Sequence, residues 1–337
     1  MNKQKRLGTK LLMITLGALL VLIPLAGCSQ PAPVPAPEKT SLIFADLGWD
    51  SAQVHNRVAA FIIENGYGYP KSEMIPGETI ALFEGLSRGD VDIEMECWVD
   101  NQQEAYDKHI ADGTVVDLGT NFPDSWQGWL VPTYMIEDGT LPEGLSIEDM
   151  PEYWELFEDP ENPAQGRFYS CIPGWECEKI NLEKFTAYGL DECYDVFLPG
   201  SGAALAGSMA AAYQKHEPWF GYYWAPTWVL GKLDMTKIAE PAFDKEVWET
   251  NYACAYPAVP TNIIVNAGFL EKAPDVVEFL KKYETTQAQN NKALAYMQDT
   301  EASTEEAAIW FMKEYESLWT EWVPSDVASK VKAALLA

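Results

Sequence analysis

Histidine is the scarcest chemistry in this chain: His55, His109 and His216 are all there is among 337 residues. They lie far apart, and neither His-x-x-x-His nor Cys-x-x-Cys spacing occurs, so no metal and no cofactor is expected. Gly200-Ser-Gly202 lacks the full Gly-x-Ser-x-Gly and the leading strand of a hydrolase elbow, which leaves no catalytic residue to assign. Positive charge is also short: 23 Lys and Arg stand against 51 Asp and Glu, for a formal charge of −28. Phosphate binding needs clustered basic residues, so nucleic acid is excluded as a partner. There is no internal repeat, and the apolar run from Leu11 to Leu25 is shorter than the roughly 20 residues that span a bilayer.

That short run has its own meaning. It follows Lys3, Lys5, Arg6 and Lys10 and ends in Leu25-Ala26-Gly27-Cys28, the layout of a secretory signal. The Leu-Ala-Gly-Cys ending resembles the bacterial lipobox, which implies lipidation at Cys28. Ser29 to Pro37 alternates Pro with Ala and reads as an extended, semi-rigid tether. The expectation is a protein displayed outside the cytoplasmic membrane on a lipid anchor. About 310 residues remain, enough for two lobes.

Periodicity gives the elements. Ser41–Ala45, Lys71–Ile75 and Val91–Trp98 read as strands, with helices between them at Ser51–Asn65, capped by Asp50 and stopped by Gly66, and at Glu78–Ser87. Strand, helix, strand, helix, strand is the α/β pattern of a parallel sheet, whose ligand crevice lies beyond the strand carboxyl ends, where Trp49 and Trp98 fall. In Val91–Trp98 the acids Glu94 and Glu96 alternate with Ile93, Met95 and Cys97, which predicts the acids on a solvent face; the alternative is that Glu94, Glu96, Asp100 and Glu176 stand near the cleft and favour a ligand of net positive charge. A helix follows at Asn101–Ala111. Trp129–Val131 is strand-like, and Ile147–Phe157, Glu176–Tyr188 and an Ala-rich stretch to Lys215 are helical. Trp219–Trp228 is a strand broken at Pro226, and Asn262–Val265 is a returning strand before the C-terminal helices. The order implies two lobes joined by two crossings with a cleft between them: signal 1–27, tether 28–40, a discontinuous first lobe at 41–130 and 259–337, and a second lobe at 131–258.

One loop organises the rest. Cys171-Ile-Pro-Gly-Trp-Glu-Cys177 has strong turn chemistry at Pro173-Gly174, which predicts an exposed bend carrying Trp175. In an oxidising compartment Cys171 and Cys177 are the natural disulfide pair; Cys97 reads as a buried thiol, and Cys193 with Cys254 is a further possible pair. Trp98, Trp175 and Trp224 each sit beside a structure breaker, where a ring projects into a cleft. Aromatic faces turned to one point bind a quaternary ammonium group through the ring quadrupoles. With 13 tryptophans in the chain, at least half must be packing residues instead.

At these residues the sequence resembles the extracytoplasmic glycine betaine/proline betaine-binding proteins of ABC importers. Three blocks carry the resemblance: Cys171-Ile-Pro-Gly-Trp-Glu-Cys177, Tyr222-Tyr-Trp-Ala-Pro-Thr-Trp228 and Gly89-Asp-Val-Asp-Ile-Glu-Met-Glu-Cys-Trp98. It implies an α/β, two-lobed periplasmic-binding-protein fold of type II that closes over its ligand. It further implies a cage from Trp98, Trp175 and Trp224, a ligand carboxylate held by the backbone amides of Glu176 and Cys177, and permease and ATPase subunits as partners of a monomer. Gly48-Trp49-Asp50 resembles a segment of choline-type binders and adds Trp49 as a fourth ring. Two positions depart: Gln102 stands where some relatives have histidine, and Glu176 where the family has glycine. A lipoprotein that presents a methylated amine to a receptor, without transport, is the alternative.

Overall fold

The computed structural model describes residues 39–257 and 260–337. The expected signal, Cys28 and all but the last two residues of the expected tether lie outside them. Eleven strands make two sheets: β1 (Ile43–Leu47), β2 (Glu73–Gly77), β3 (Ile93–Cys97), β4 (Val115–Phe122), β5 (Trp126–Pro132), β6 (Glu158–Asp159), β7 (Asn162–Tyr169), β8 (Tyr194–Phe197), β9 (Gly221–Ala225), β10 (Met235–Lys237) and β11 (Thr261–Asn266). The first sheet has the order β2-β1-β3-β11-β4; the second runs β10-β5-β9-β7-β6, with β8 beside β7.

The parallel sheet expected from the alternating pattern holds for only part of the first sheet. β1 is parallel to β2 and β3, whereas β11 is antiparallel to both β3 and β4. β11 re-enters from the second sheet rather than through a crossover helix, so nothing constrains it to run with its neighbours. β4 had no counterpart in the sequence reading, because its acidic, Gly- and Asn-containing residues lack a clean alternation. The chain leaves the first sheet after Phe122 and joins the second at Trp126, where β5 pairs with β9 from Trp126 opposite Ala225 to Leu130 opposite Gly221.

The prediction that Glu94 and Glu96 face solvent is overturned. Every residue of β3 is buried, and both glutamates have 0 % exposure. β3 is the middle strand of five, and a strand covered on both faces buries both of its alternating sets. The first long helix, Asp50–Ile62, buries Val54, Val58 and Ile62 as its periodicity requires. Its N-cap is Trp49 rather than Asp50, and it runs on through a π turn, Ile63–Tyr67, to the left-handed Gly68. Gly66 does not stop it: a Cβ there would lie 2.6 Å from Val327, so glycine serves close packing instead.

Candidate ligand-binding site

The cleft is built where strands end. β1 and β3 lie side by side and parallel, so their carboxyl ends release Trp49 and Trp98 at one edge of the first sheet. From the second sheet, β9 contributes Tyr222 and Trp224, two residues apart and therefore on one strand face. Trp175 is the N-cap of the helix Glu176–Ala187. The Cys171–Cys177 disulfide closes its loop with Cα atoms 5.8 Å apart, and Gly174 takes the positive φ of 92° that the turn requires. The loop is not the exposed bend expected from its turn residues. Cys171, Ile172, Trp175 and Cys177 are all buried and only Pro173 is exposed, because the loop packs against Glu78, Trp49 and Trp224.

Trp175 is the centre of the ring cluster. Its centroid lies 5.0 Å from Trp49 and 5.2 Å from Trp224, with interplanar angles of 72° and 78°, so each pair meets edge to face. Trp49, Trp98, Trp175, Tyr222 and Trp224 line a cleft of about 380 Å³, counted with its open mouth, together with Thr79, Glu96, Asn101, Glu176 and Cys177. The rings are held by their polar edges. Oε1 of Glu96 accepts bonds from Trp49 Nε1 (2.8 Å), Trp98 Nε1 (3.1 Å) and Ser51 Oγ (3.0 Å). Trp175 Nε1 donates to the Glu78 carboxylate across the cleft. The Tyr222 hydroxyl donates to Gln127 Oε1 at 2.6 Å, and the Gln127 amide donates to Asn101 Oδ1 at 2.7 Å.

The cleft is also lined by a helix start. Trp175 N–H donates to the Ile172 carbonyl and Gly174 N–H to the Glu178 carboxylate. Glu176 and Cys177, the first two helical residues, have no carbonyl one turn earlier to accept their amides, which makes them donors for an anionic group at the positive end of the helix. The side chain of Glu176 turns to the rim, where it pairs with Lys179 Nζ at 3.0 Å.

Charge in the cleft is of one sign. No Lys, Arg or His is among the residues that line it. Burial pushes the Glu96 carboxyl up to about 7, against the opposing effect of its Ser51, Trp49 and Trp98 bonds. Behind it, Glu94 is pushed up to about 8 by burial and then by the charge of Glu96. Gln102 and the Cys97 thiol lie close enough to lower that value, yet neither makes a bond of proper geometry to either Glu94 oxygen. The Cys97 thiol is itself held well above its ordinary value by burial and by Glu94.

A cluster of aromatic faces beside free helix amides, set between two sheets, has the chemistry to hold a small solute. Residues 40–314 match the family described as the substrate-binding domain of ABC-type glycine betaine transport systems (OpuAC). The chain belongs to this family. OpuAC domains are solute-binding components of ABC transporters and not enzymes. Among curated proteins, the glycine betaine/proline betaine-binding periplasmic protein of Escherichia coli K12 is 22% identical over 264 residues, covering 74% of this chain and 78% of its own. Among solved structures, the glycine betaine/L-proline-binding protein ProX of Borrelia burgdorferi aligns with a TM-score of 0.72 at 17% identity, over 87% of this chain and 100% of that one. An ABC-transporter choline binding protein in complex with choline aligns with a TM-score of 0.71 at 18% identity, over 88% and 98%. At these identities the structures establish the fold, a two-lobed periplasmic binding protein of OpuAC type.

Of the residues singled out in the sequence, this OpuAC domain brings Trp49, Trp98, Trp175, Trp224, Glu176 and Cys177 together at the cleft. It places two elsewhere. Gln102 is 6 % exposed and its amide donates to Cys97 Sγ at 2.9 Å; a 3₁₀ turn at Val99–Gln102 precedes the helix and gives the cleft position to Asn101. Gly48 backs onto the Trp175 ring and the Glu78 carboxylate and borders a second cavity, of about 940 Å³ counted with open solvent, which shares Trp49 and Trp224 with the first. Cys97 is the expected buried thiol, while Cys193 and Cys254 are free rather than paired. Thr79, Glu96, Asn101 and Tyr222 were not assigned to the site from the sequence. Two of them carried a signal: Tyr222 and Glu96 each stand two residues before a cage tryptophan, hence on its face of the strand.

Proposed function

We propose that this protein captures a quaternary or otherwise fully methylated amine, the class of glycine betaine, proline betaine and choline, and delivers it to the permease and ATPase of an ABC importer. The observation that carries the reading is the convergence of five aromatic rings on one cleft that no basic side chain lines. A quaternary ammonium donates no hydrogen bonds, so it is recognised by ring faces, each worth roughly 0.5 to 2 kcal/mol. The free amides of Glu176 and Cys177 would hold a ligand carboxylate where there is one. Family membership supports the transport role, and the names of the relatives support the ligand class.

The lobes of this reading are residues 41–130 with 259–337, and 131–258; the change of sheet between Phe122 and Trp126 and the return at Thr261 support two crossings, with the first a few residues before 130, since β5 from Trp126 onward already lies in the second sheet. The lobes close on the ligand by a hinge motion. The protein acts as a monomer on the extracytoplasmic face of the membrane, held by a lipid on Cys28. No helix of the described residues is long and apolar enough to cross a membrane, which fits attachment by a lipid.

Calorimetric titration with a panel of methylated amines tests the reading. Trp175→Ala should weaken binding by on the order of 100-fold, because it removes one cage wall and frees the edges of Trp49 and Trp224. Unchanged affinity, with the circular dichroism of the folded protein retained, would sink the cage assignment.

A further inference from the structure

Glu96 has a task that holding the rings does not exhaust. Its Oε1 serves three donors, while Oε2 is buried without any partner, in a residue that lines the cleft. Groups facing it offer no compensating charge. Glu94 stands two residues away on the same strand; Asp50, itself shifted upward by burial, begins the helix that supplies Ser51; Tyr283, bonded to His55, packs from the C-terminal part of the chain; Glu176 lines the cleft and Glu78 accepts from the Trp175 ring that does. None of these is a cation, and burial drives His55 down to about 3, so it is neutral at physiological pH. An ionised carboxylate left in such a place is costly, and a cation seated in the cage beside it removes that cost.

Building on the proposed cage function, we infer that Glu96 is the counter-ion of the bound ligand and makes the cleft select a methylated amine of net positive charge, without a carboxylate, over a zwitterionic betaine. A zwitterion brings its own carboxylate, which meets neutral donors here, the amides of Glu176 and Cys177 and the polar side chains of the lining, but no cationic side chain. A monocation completes a neutral pair with Glu96.

A proton linkage follows with a definite sign. In the free protein Glu96 titrates at about 7, so below that pH the cation must displace a proton, and above it the carboxylate is already formed.

The test is calorimetry on the full mature chain with choline, tetramethylammonium and glycine betaine. At about pH 8 choline should bind at least about tenfold more tightly than glycine betaine, and lowering the pH to about 5.5 should cost choline up to about 30-fold and glycine betaine about threefold at most. Glu96→Gln keeps an acceptor for the three donors and should cost choline at least about tenfold more than it costs glycine betaine. Equal or tighter binding of glycine betaine by the wild type at about pH 8, or equal losses for both ligands in Glu96→Gln, overturns the assignment while leaving the cage intact. Binding of none of the three overturns the cage and this inference together. Should Glu96→Gln fail to fold, the pH series on the wild type decides alone.

Discussion

Single residues set the character of this site through burial. Glu94 shows it most plainly: fully buried, with neither oxygen properly bonded, it is held at about 8 where an ordinary glutamate sits near 4.5. The folded state therefore grips this proton more tightly than the unfolded chain does. The resulting contribution to stability is complete below about pH 4.5 and is lost as pH rises through about 8. Thermal melts should fall over that window by the equivalent of a few kcal/mol, and Glu94→Gln should flatten the curve and raise the melting temperature at the alkaline end. A variant that keeps the full pH slope would show that Glu94 is not the titrating group. The strand alternation that placed Glu94 and Glu96 on one face was legible in the sequence. That this face is covered was not, because burial depends on what packs over the strand, and those elements are remote in sequence.

At the scale of elements, the helix Glu176–Ala187 must be fastened at both ends for its first amides to stay at the cleft. Its start is tied by the disulfide and by Trp175 to Glu78. Its last turn is tied by Lys184, whose side chain is 0 % exposed and pairs with Glu240 at 2.5 Å; the ammonium also donates to the Cys254 carbonyl. Burial lowers the pKa of Lys184, with Glu240 opposing the shift. Glu240→Gln would strand a buried ammonium and should cost about 3 to 5 kcal/mol in urea denaturation, whereas replacing both partners by Met and Leu should cost far less. Equal losses in the single and double variants would mean that packing, not charge, anchors the helix. This helix was readable from its sequence, since turn residues and apolar spacing mark its ends. Its anchor was not, because a lone lysine in a helix reads as solvent-facing until residue 240 is brought against it.

For the whole molecule, the ring cluster exists only because two sheets meet. Trp49 and Trp98 come from one, Tyr222 and Trp224 from the other, and Trp175 touches a ring of each from the loop that follows β7. Ligand held across that junction should stabilise both lobes at once: at a concentration 100 times Kd the gain is about 2.7 kcal/mol, read as a rise in melting temperature that Trp175→Ala abolishes. A ligand that binds tightly without shifting the melt would place its site outside the junction. The sequence by itself determined the local chemistry: the strand–helix alternation, the turn and cysteine pair around Trp175, the tryptophans beside strand ends and the shortage of basic residues. These follow from periodicity, backbone preferences and composition, which act over a few residues. Only the tertiary structure decided that β11 runs antiparallel, that Gln102 turns into the core while Asn101 reaches the cleft, and that Glu96 lies beneath the rings with one oxygen unused. Each depends on contacts between segments far apart in the chain, whose energies no local pattern encodes.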